Sequence, residues 1–209
     1  MARVRDSAIS KHFQRISAGE FLSVFLKAFI ECVPDNPYDQ IQSWNNLTAF
    51  ITGKQSKNGG YWPGENCVLL RVAKALGLEH QHEYLHSDLV LFPKGDPWGN
   101  LIVVEHENQI EGFGEEIEKL MCVLAPLKVG ITYGNAAKGS TLQATLQRYF
   151  RGRHPSIHEA PDTEYLFLLG RKGDAGIWGW KYLSFSIVEG PDATQFNAIG
   201  KELVLEGWQ

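Results

Sequence analysis

The sequence predicts an α/β fold, because segments with apolar residues at helical spacing alternate with short apolar runs between about residues 65 and 133. The predicted strands at 101–106 and 127–133 are mainly apolar and are bounded by Gly, Asn or Pro, which is typical of buried strands. The chain has 209 residues, which is long enough for one sizeable core, so we expect a single domain over residues 1–209.

Each predicted element follows from its local pattern. Phenylalanines at helical spacing indicate a first helix, which Pro34 ends. Aromatic runs on both sides of a Gly-containing turn indicate a C-terminal hairpin. In chain order, we predict helices over 17–33, 41–51 and 65–78, strands over 84–92 and 101–106, a helix over 110–124, a strand over 127–133, a helix over 140–150 and hairpin strands over 165–169 and 178–187.

These elements divide the domain into three regions. Residues 1–64 form an N-terminal helical region, and residues 65–133 form the core in which helices and strands alternate. Residues 134–209 supply a helix and a β-hairpin that complete the domain.

The composition is ordinary for a soluble globular protein, at 44% hydrophobic and 21% charged residues. The formal net charge of −4 does not favour a strongly basic surface, although a basic patch can be local. We expect no membrane segment and no secretion signal, because no apolar run reaches membrane-spanning length and none follows the basic residues at the N-terminus. Cys32, Cys67 and Cys122 lie in apolar contexts without CxxC spacing, so we expect small core residues in a reducing, cytoplasmic compartment.

The most informative motif stands at the end of the predicted strand 101–106, after four apolar residues. Glu105 and Glu107 share one side of this strand because side chains alternate, and His106 points away. Two carboxylates at the end of a buried strand repel each other unless a cation or a proton lies between them. Asp88 begins the preceding strand, so a hairpin of the two strands would bring it close to Glu105. Three carboxylates are hard oxygen donors, which suit Mg²⁺ or Mn²⁺.

This order of helix, strand with Asp88, strand ending in Glu105-x-Glu107, helix and strand resembles the core of the PD-(D/E)xK nuclease superfamily, the restriction-endonuclease-like fold. The resemblance covers about residues 65–133, and it implies a mixed central β-sheet flanked by helices. It also implies one or two Mg²⁺ bound by an aspartate and an acid-x-lysine motif. Asp88 matches the aspartate and Glu105 the acid, whereas Glu107 stands in the place of the lysine. Glu65 matches an acid that many members place beside the metals.

The resemblance implies a metal-dependent nuclease that hydrolyses phosphodiester bonds of nucleic acid, DNA rather than RNA. Glu107 would be a second-metal ligand or a general base. Lys119 in the following helix or Lys128 on the next strand would replace the missing lysine, and the sequence does not choose between them. The departure at position 107 leaves open a catalytically inactive nuclease-fold protein that binds nucleic acid or a protein partner. The implied metal ligands are Glu65, Asp88, Glu105 and Glu107.

Basic residues in two segments are candidates for contacts with the nucleic-acid backbone. Residues 148–153 interleave arginines with aromatic side chains, and two lysines lie on a Gly-rich loop. A solvated helix end, with arginines complementing the helix dipole, is the competing interpretation. A homodimer is a further possibility. The candidate contacts are Lys54, Lys57, Arg148, Arg151 and Arg153.

Four histidines close to the acids leave a different function open. A small-molecule hydrolase could use such histidines with carboxylates to bind zinc or iron. No further His-rich spacing completes a ligand set, so a polar connection between helix and strand is the favoured interpretation. The histidines are His80, His82, His86 and His106.

Overall fold

One mixed β-sheet with helices on both faces forms the part of the chain that the structure describes. This structure is a computed structural model that describes residues 15–32, 44–54, 66–84, 86–96, 99, 101–134, 138–150, 162–172, 178–186 and 203–204. The helices are α1 (Ala18–Cys32), α2 (Trp44–Thr52), α3 (Val68–Ala75), α4 (Phe113–Cys122) and α5 (Lys138–Phe150). The strands are β1 (Leu78–Tyr84), β2 (Ser87–Pro93), β3 (Ile102–Glu107), β4 (Leu127–Tyr133), β5 (Glu164–Lys172), β6 (Trp178–Ser186) and β7 (Leu203–Val204).

The strands lie in the sheet in chain order, from β1 at one edge to β7. β1, β2 and β3 form an antiparallel meander. β3, β4 and β5 are parallel, with α4 and α5 as the connecting helices, and β6 and β7 are again antiparallel. This mixed arrangement confirms the predicted α/β class. Among the described helices, none is long and apolar enough to span a membrane.

The sheet separates two apolar cores. On one face, α1, α2 and α3 pack against the sheet. Trp180 of β6 lies in this core and makes edge-to-face contacts with Phe25 and Phe29 of α1, with ring centroids 5.0 and 5.3 Å apart. On the other face, α4 and α5 pack over β2 to β6. The acidic residues of the candidate site lie on this second face.

β1 corrects the prediction that the region after α3 is a polar connection. His80 and His82 lie in this strand, and none of its residues is buried. An edge strand is held by hydrogen bonds to a single neighbour and does not need apolar side chains. The apolar pattern used for prediction is therefore absent from β1.

Cys122 corrects the expectation that all three cysteines are core residues. Cys32 and Cys67 are buried, but Cys122 is exposed at the end of α4. The buried stripe of α4 passes through other positions, so the cysteine falls on its outer side.

Gly130 allows α4 to lie close to the sheet. It is on β4, directly opposite Glu105 of β3. A Cβ at this position would lie 2.6 Å from the ring of Phe113 and 2.7 Å from the ring of Phe167. Phe113 is the first residue of α4, so the absence of a side chain at Gly130 sets the distance between this helix and β3.

Replacing Gly130 by alanine is expected to destabilise the protein by about 1–3 kcal/mol, because two buried rings must move away. Urea unfolding of the variant and the wild type measures the difference. Gly19→Ala is a suitable control, since nothing lies within 4 Å of a Cβ there. A Gly130→Ala protein with wild-type stability would contradict the close packing of α4 on the sheet.

Candidate metal centre

Three carboxylates from three elements converge on the face of the sheet that α4 covers. They belong to Asp88 on β2, Glu105 on β3 and Glu116 on α4, and one oxygen of each lies within 4.8 Å of the others. The sequence predicted that Asp88 and Glu105 approach each other. It did not predict that Glu116 joins them.

Asp88 is fixed by the pairing of β2 with β3. Val90 and Phe92 alternate with Asp88 along β2 and pack in the core beneath α4, so the carboxylate faces the same side. The backbone N–H of His106 donates to Asp88 Oδ2 at 2.9 Å. The first ligand candidate is therefore anchored directly to the neighbouring strand.

Glu105 is the most constrained residue of the site. Its side chain is 0% exposed, and neither carboxylate oxygen accepts a hydrogen bond from a donor group of the described residues. Burial, the hydrogen bond that the protonated carboxyl group can donate to Glu116, and the charges of Asp88 and Glu116 together raise the pKa of Glu105 to about 9. Without a cation, this carboxyl group therefore holds a proton at neutral pH.

Glu116 lies on the buried face of α4 and is itself nearly inaccessible, at 9% exposure. It follows Phe113 by three positions and precedes Leu120 by four, so it interrupts an apolar stripe. This interruption is the signal that could have identified it from the sequence. An acid in such a position needs a partner, since a buried charge is costly when unpaired.

Lys119 is a partner of Glu116. Its Nζ lies 2.9 and 2.7 Å from the two oxygens of Glu116, one helical turn away. Burial lowers the pKa of Lys119, but the hydrogen bond and charge of Glu116, with the charges of Glu105 and Asp88, outweigh burial and leave the pKa raised. A charged lysine thus lies against one of the three carboxylates, and its replacement of the missing motif lysine stays a prediction.

Glu107 and Lys128, the other two candidates from the motif, form hydrogen bonds with residues outside the three converging acids. Glu107 is not one of the three converging acids, and its Oε1 accepts a hydrogen bond from the backbone N–H of Gln109 at 2.9 Å. Lys128 is fully buried, donates to the hydroxyl of Tyr165 at 3.2 Å and lies 5.1 Å from the centre of its ring. In the register of the sheet, Lys128 is opposite Val103, two residues before Glu105.

Two of the predicted nucleic-acid contacts lie within the described residues, Lys54 beside two acids and Arg148 on the surface of a helix. Lys54 follows α2, and its Nζ lies 3.7 Å from Asp88 Oδ1 and 2.7 Å from Glu83 Oε1. Burial lowers the pKa of Lys54, but the hydrogen bond to Glu83 and the charges of Asp88 and Glu83 outweigh burial and leave the pKa raised. Arg148 is exposed on α5, with its guanidinium 5.3 Å from the ring centre of Tyr149. The predicted residues that lie outside the described part of the chain are Glu65, Lys57, Arg151 and Arg153.

The histidines do not join the acids. His106 faces the opposite side of the sheet, where its Nε2 lies 3.1 Å from the hydroxyl of Tyr133. Burial lowers the pKa of His106 to about 4, so it is neutral at pH 7. His80 and His82 lie side by side on β1, with ring centroids 5.7 Å apart. Within the described residues, the one cluster with metal-ligand spacing contains carboxylates alone.

The residues of this site fit a hard divalent cation. All three donor groups supply oxygen, which is the preference of Mg²⁺ and Mn²⁺. The two buried oxygens of Glu105 accept no hydrogen bond from the described residues, so either a proton shared with Glu116 or a bound cation has to satisfy them. Comparison of the chain with protein-family models, with curated proteins and with solved structures found no match in any of the three.

Proposed function

We propose that this protein is a metal-dependent nuclease that hydrolyses phosphodiester bonds of nucleic acid. The observation that carries the proposal is the fully buried Glu105, whose oxygens accept no hydrogen bond from the described part of the chain and lie close to the carboxylates of Asp88 and Glu116. In this position an ionised carboxylate destabilises the fold unless it binds a cation, and the alternative is to hold a proton at neutral pH. The resemblance to the PD-(D/E)xK superfamily supplies the reaction class and the preference for DNA.

The succession of elements supports a restriction-endonuclease-like core. α3 is followed by a strand with Asp88, by a strand that ends in Glu105-x-Glu107, and then by α4 and β4. This is the order on which the resemblance depends, with β1 added between α3 and β2. In this proposal Glu116, from the helix after the acidic strand, is a third ligand, and Glu65 stays a candidate from the sequence.

The roles of the side chains follow from their positions. Asp88, Glu105 and Glu116 would hold Mg²⁺ or Mn²⁺. When bound, such an ion lowers the pKa of water and neutralises charge on a phosphate. The β2–β3 hydrogen bond orients Asp88, and Lys119 orients Glu116. The burial of Glu105 keeps bulk water from one side of the site, which strengthens its attraction for a cation.

A catalytically inactive nuclease-fold protein is the second candidate function. Glu107 in the place of the lysine favours it, because that position then brings a negative charge instead of a positive one. Lys119 and Lys54 weigh against it, because they bring positive charge beside the carboxylates from other elements.

We expect cleavage of DNA or RNA in the presence of Mn²⁺, tested on single- and double-stranded substrates of each. Asp88→Asn and Glu116→Gln are expected to reduce the rate by at least about a hundredfold, since each removes a charge that holds the ion. Glu118→Gln is the matched control, because Glu118 is an exposed glutamate on the same helix as Glu116.

The outcomes separate the two candidate functions. A wild type that binds Mn²⁺ and nucleic acid but cleaves none of the four substrates would favour the inactive nuclease fold. Cleavage that survives both Asp88→Asn and Glu116→Gln would contradict the proposed site.

A further inference from the structure

Lys54 contacts Asp88, one of the three carboxylates, whereas Lys119 contacts Glu116. Its Nζ lies 3.7 Å from Asp88 Oδ1, although the residue belongs to the segment after α2 rather than to β2, β3 or α4. The side chain is 34% exposed, so it is partly enclosed but remains open to a ligand. This position differs from that of a surface lysine on a flexible loop.

The backbone around Lys54 is held in place by several contacts. Gly53 adopts a φ of +77°, and a Cβ there would lie 2.7 Å from the Sγ of Cys67. The backbone N–H of Lys54 donates to the hydroxyl of Thr52 at 3.1 Å. Thr48, one turn earlier in α2, exchanges hydrogen bonds of 2.8 and 3.1 Å with Asn108, directly after β3. The end of α2 is thereby tied to the same strand that carries Glu105.

Glu83 contacts the same ammonium group of Lys54 that lies near Asp88. Its Oε1 lies 2.7 Å from Lys54 Nζ, at the end of β1. Glu83 has a φ of +53°, a conformation that non-glycine residues seldom adopt. Its side chain is 66% exposed, so the ion pair is weak and exchangeable in water. Lys119, in contrast, bonds both oxygens of the nearly buried Glu116.

A substrate phosphate at this site needs a positively charged side chain near the carboxylates. Asp88, Glu105 and Glu116 attract a metal ion but repel an anionic phosphate. Lys119 is held by Glu116, a ligand candidate itself, whereas the partly exposed ammonium group of Lys54 has three N–H donors and can donate to a phosphate oxygen while it stays paired with Glu83. We infer that Lys54 contacts the substrate phosphate beside Asp88, and that Glu83 is the positioning residue that keeps Lys54 there. This inference rests on the proposed function.

The test compares Lys54→Met, Lys54→Arg, Glu83→Gln and the double variant with wild type. Mn²⁺ affinity is measured by calorimetry, and kcat and KM are measured on the best DNA or RNA substrate. Lys27→Met is the control, since Lys27 is 78% exposed on the opposite face of the sheet. Thermal unfolding establishes that each variant is folded.

We expect Lys54→Met to lower kcat by about a hundredfold. It should bind Mn²⁺ severalfold more tightly at low salt, because a positive charge beside Asp88 is lost. Lys54→Arg should restore part of the rate. Glu83→Gln should have a smaller effect than Lys54→Met and none in the Lys54→Met background, since it acts through Lys54.

Other outcomes overturn the inference in distinguishable ways. If Lys54→Met has wild-type kcat and KM while the wild type cleaves, Lys54 does not contact the phosphate and the proposed function stands. If Lys54→Met loses Mn²⁺ binding together with activity, the role of Lys54 is structural. If Glu83→Gln reduces the rate equally with and without Lys54, Glu83 is not its positioning residue. A wild type that neither binds Mn²⁺ nor cleaves would overturn both proposals.

Discussion

Replacement of Glu105 by glutamine is expected to stabilise the metal-free protein by about 3 kcal/mol at pH 7, while removing a ligand of the proposed ion. The carboxyl group ionises near 4.5 in the unfolded chain and near 9 in the folded protein. At pH 7 the folded state therefore keeps a proton that the unfolded state has lost, which costs about 1.4 kcal/mol for each pH unit above 4.5. Glutamine occupies the same volume, has no charge to bury, and can donate to Asp88 and Glu116.

The pH dependence of stability tests the raised pKa of Glu105 independently of how large the stabilisation by Glu105→Gln is. Because the pKa of Glu105 is raised on folding, its contribution to stability is lost as pH rises from about 4.5 to about 9. Urea unfolding in EDTA at pH 5, 7 and 9 should show the gain of Glu105→Gln over wild type increasing with pH. Glu118→Gln, on an exposed position of α4, should show no such increase. A Glu105→Gln protein that is less stable than wild type at all three values would contradict the buried, unpaired carboxylate.

Glu116 and Glu107 should differ in their effect on metal affinity. Glu116 is one of the three converging acids, so Glu116→Gln is expected to weaken Mn²⁺ binding by at least about a hundredfold, the upper end of what loss of a supporting residue costs. Glu107 bonds the backbone of Gln109 instead, so Glu107→Gln should change the affinity by less than about a factor of ten. Calorimetric titration of the two variants measures both. Equal losses of Mn²⁺ affinity in the two variants would mean that Glu107 is as much a ligand as Glu116.

The parts of the site that the sequence predicted are those that local rules determine. Asp88 and Glu105 lie on neighbouring antiparallel strands, so alternation and hairpin pairing suffice to bring them together. Strand alternation does not place Glu107 with the other acids, because β3 ends at this residue. Its carboxylate accepts a hydrogen bond from the backbone of the following loop instead.

The contributions of Glu116 and Lys54 depend on tertiary packing, which the local pattern does not contain. Glu116 reaches Glu105 only because α4 packs closely over Gly130. Lys54 reaches Asp88 because the contact between Thr48 and Asn108 ties α2 to the end of β3. The polar strand β1 was not predicted, because its sequence lacks the apolar pattern of a strand. Its place at the edge of the sheet, which is a tertiary feature, removes the need for apolar residues.

The central claim is that Asp88, Glu105 and Glu116 hold a divalent cation. Calorimetric titration of the wild type and of Glu105→Ala with Mn²⁺ tests it most directly, with Glu118→Ala as the control for removal of an acid from the exposed face of α4. We expect saturable binding of about one ion to the wild type and to the control, and none to Glu105→Ala. A wild type that gives no heat of binding, or a heat that Glu105→Ala retains, would contradict the claim.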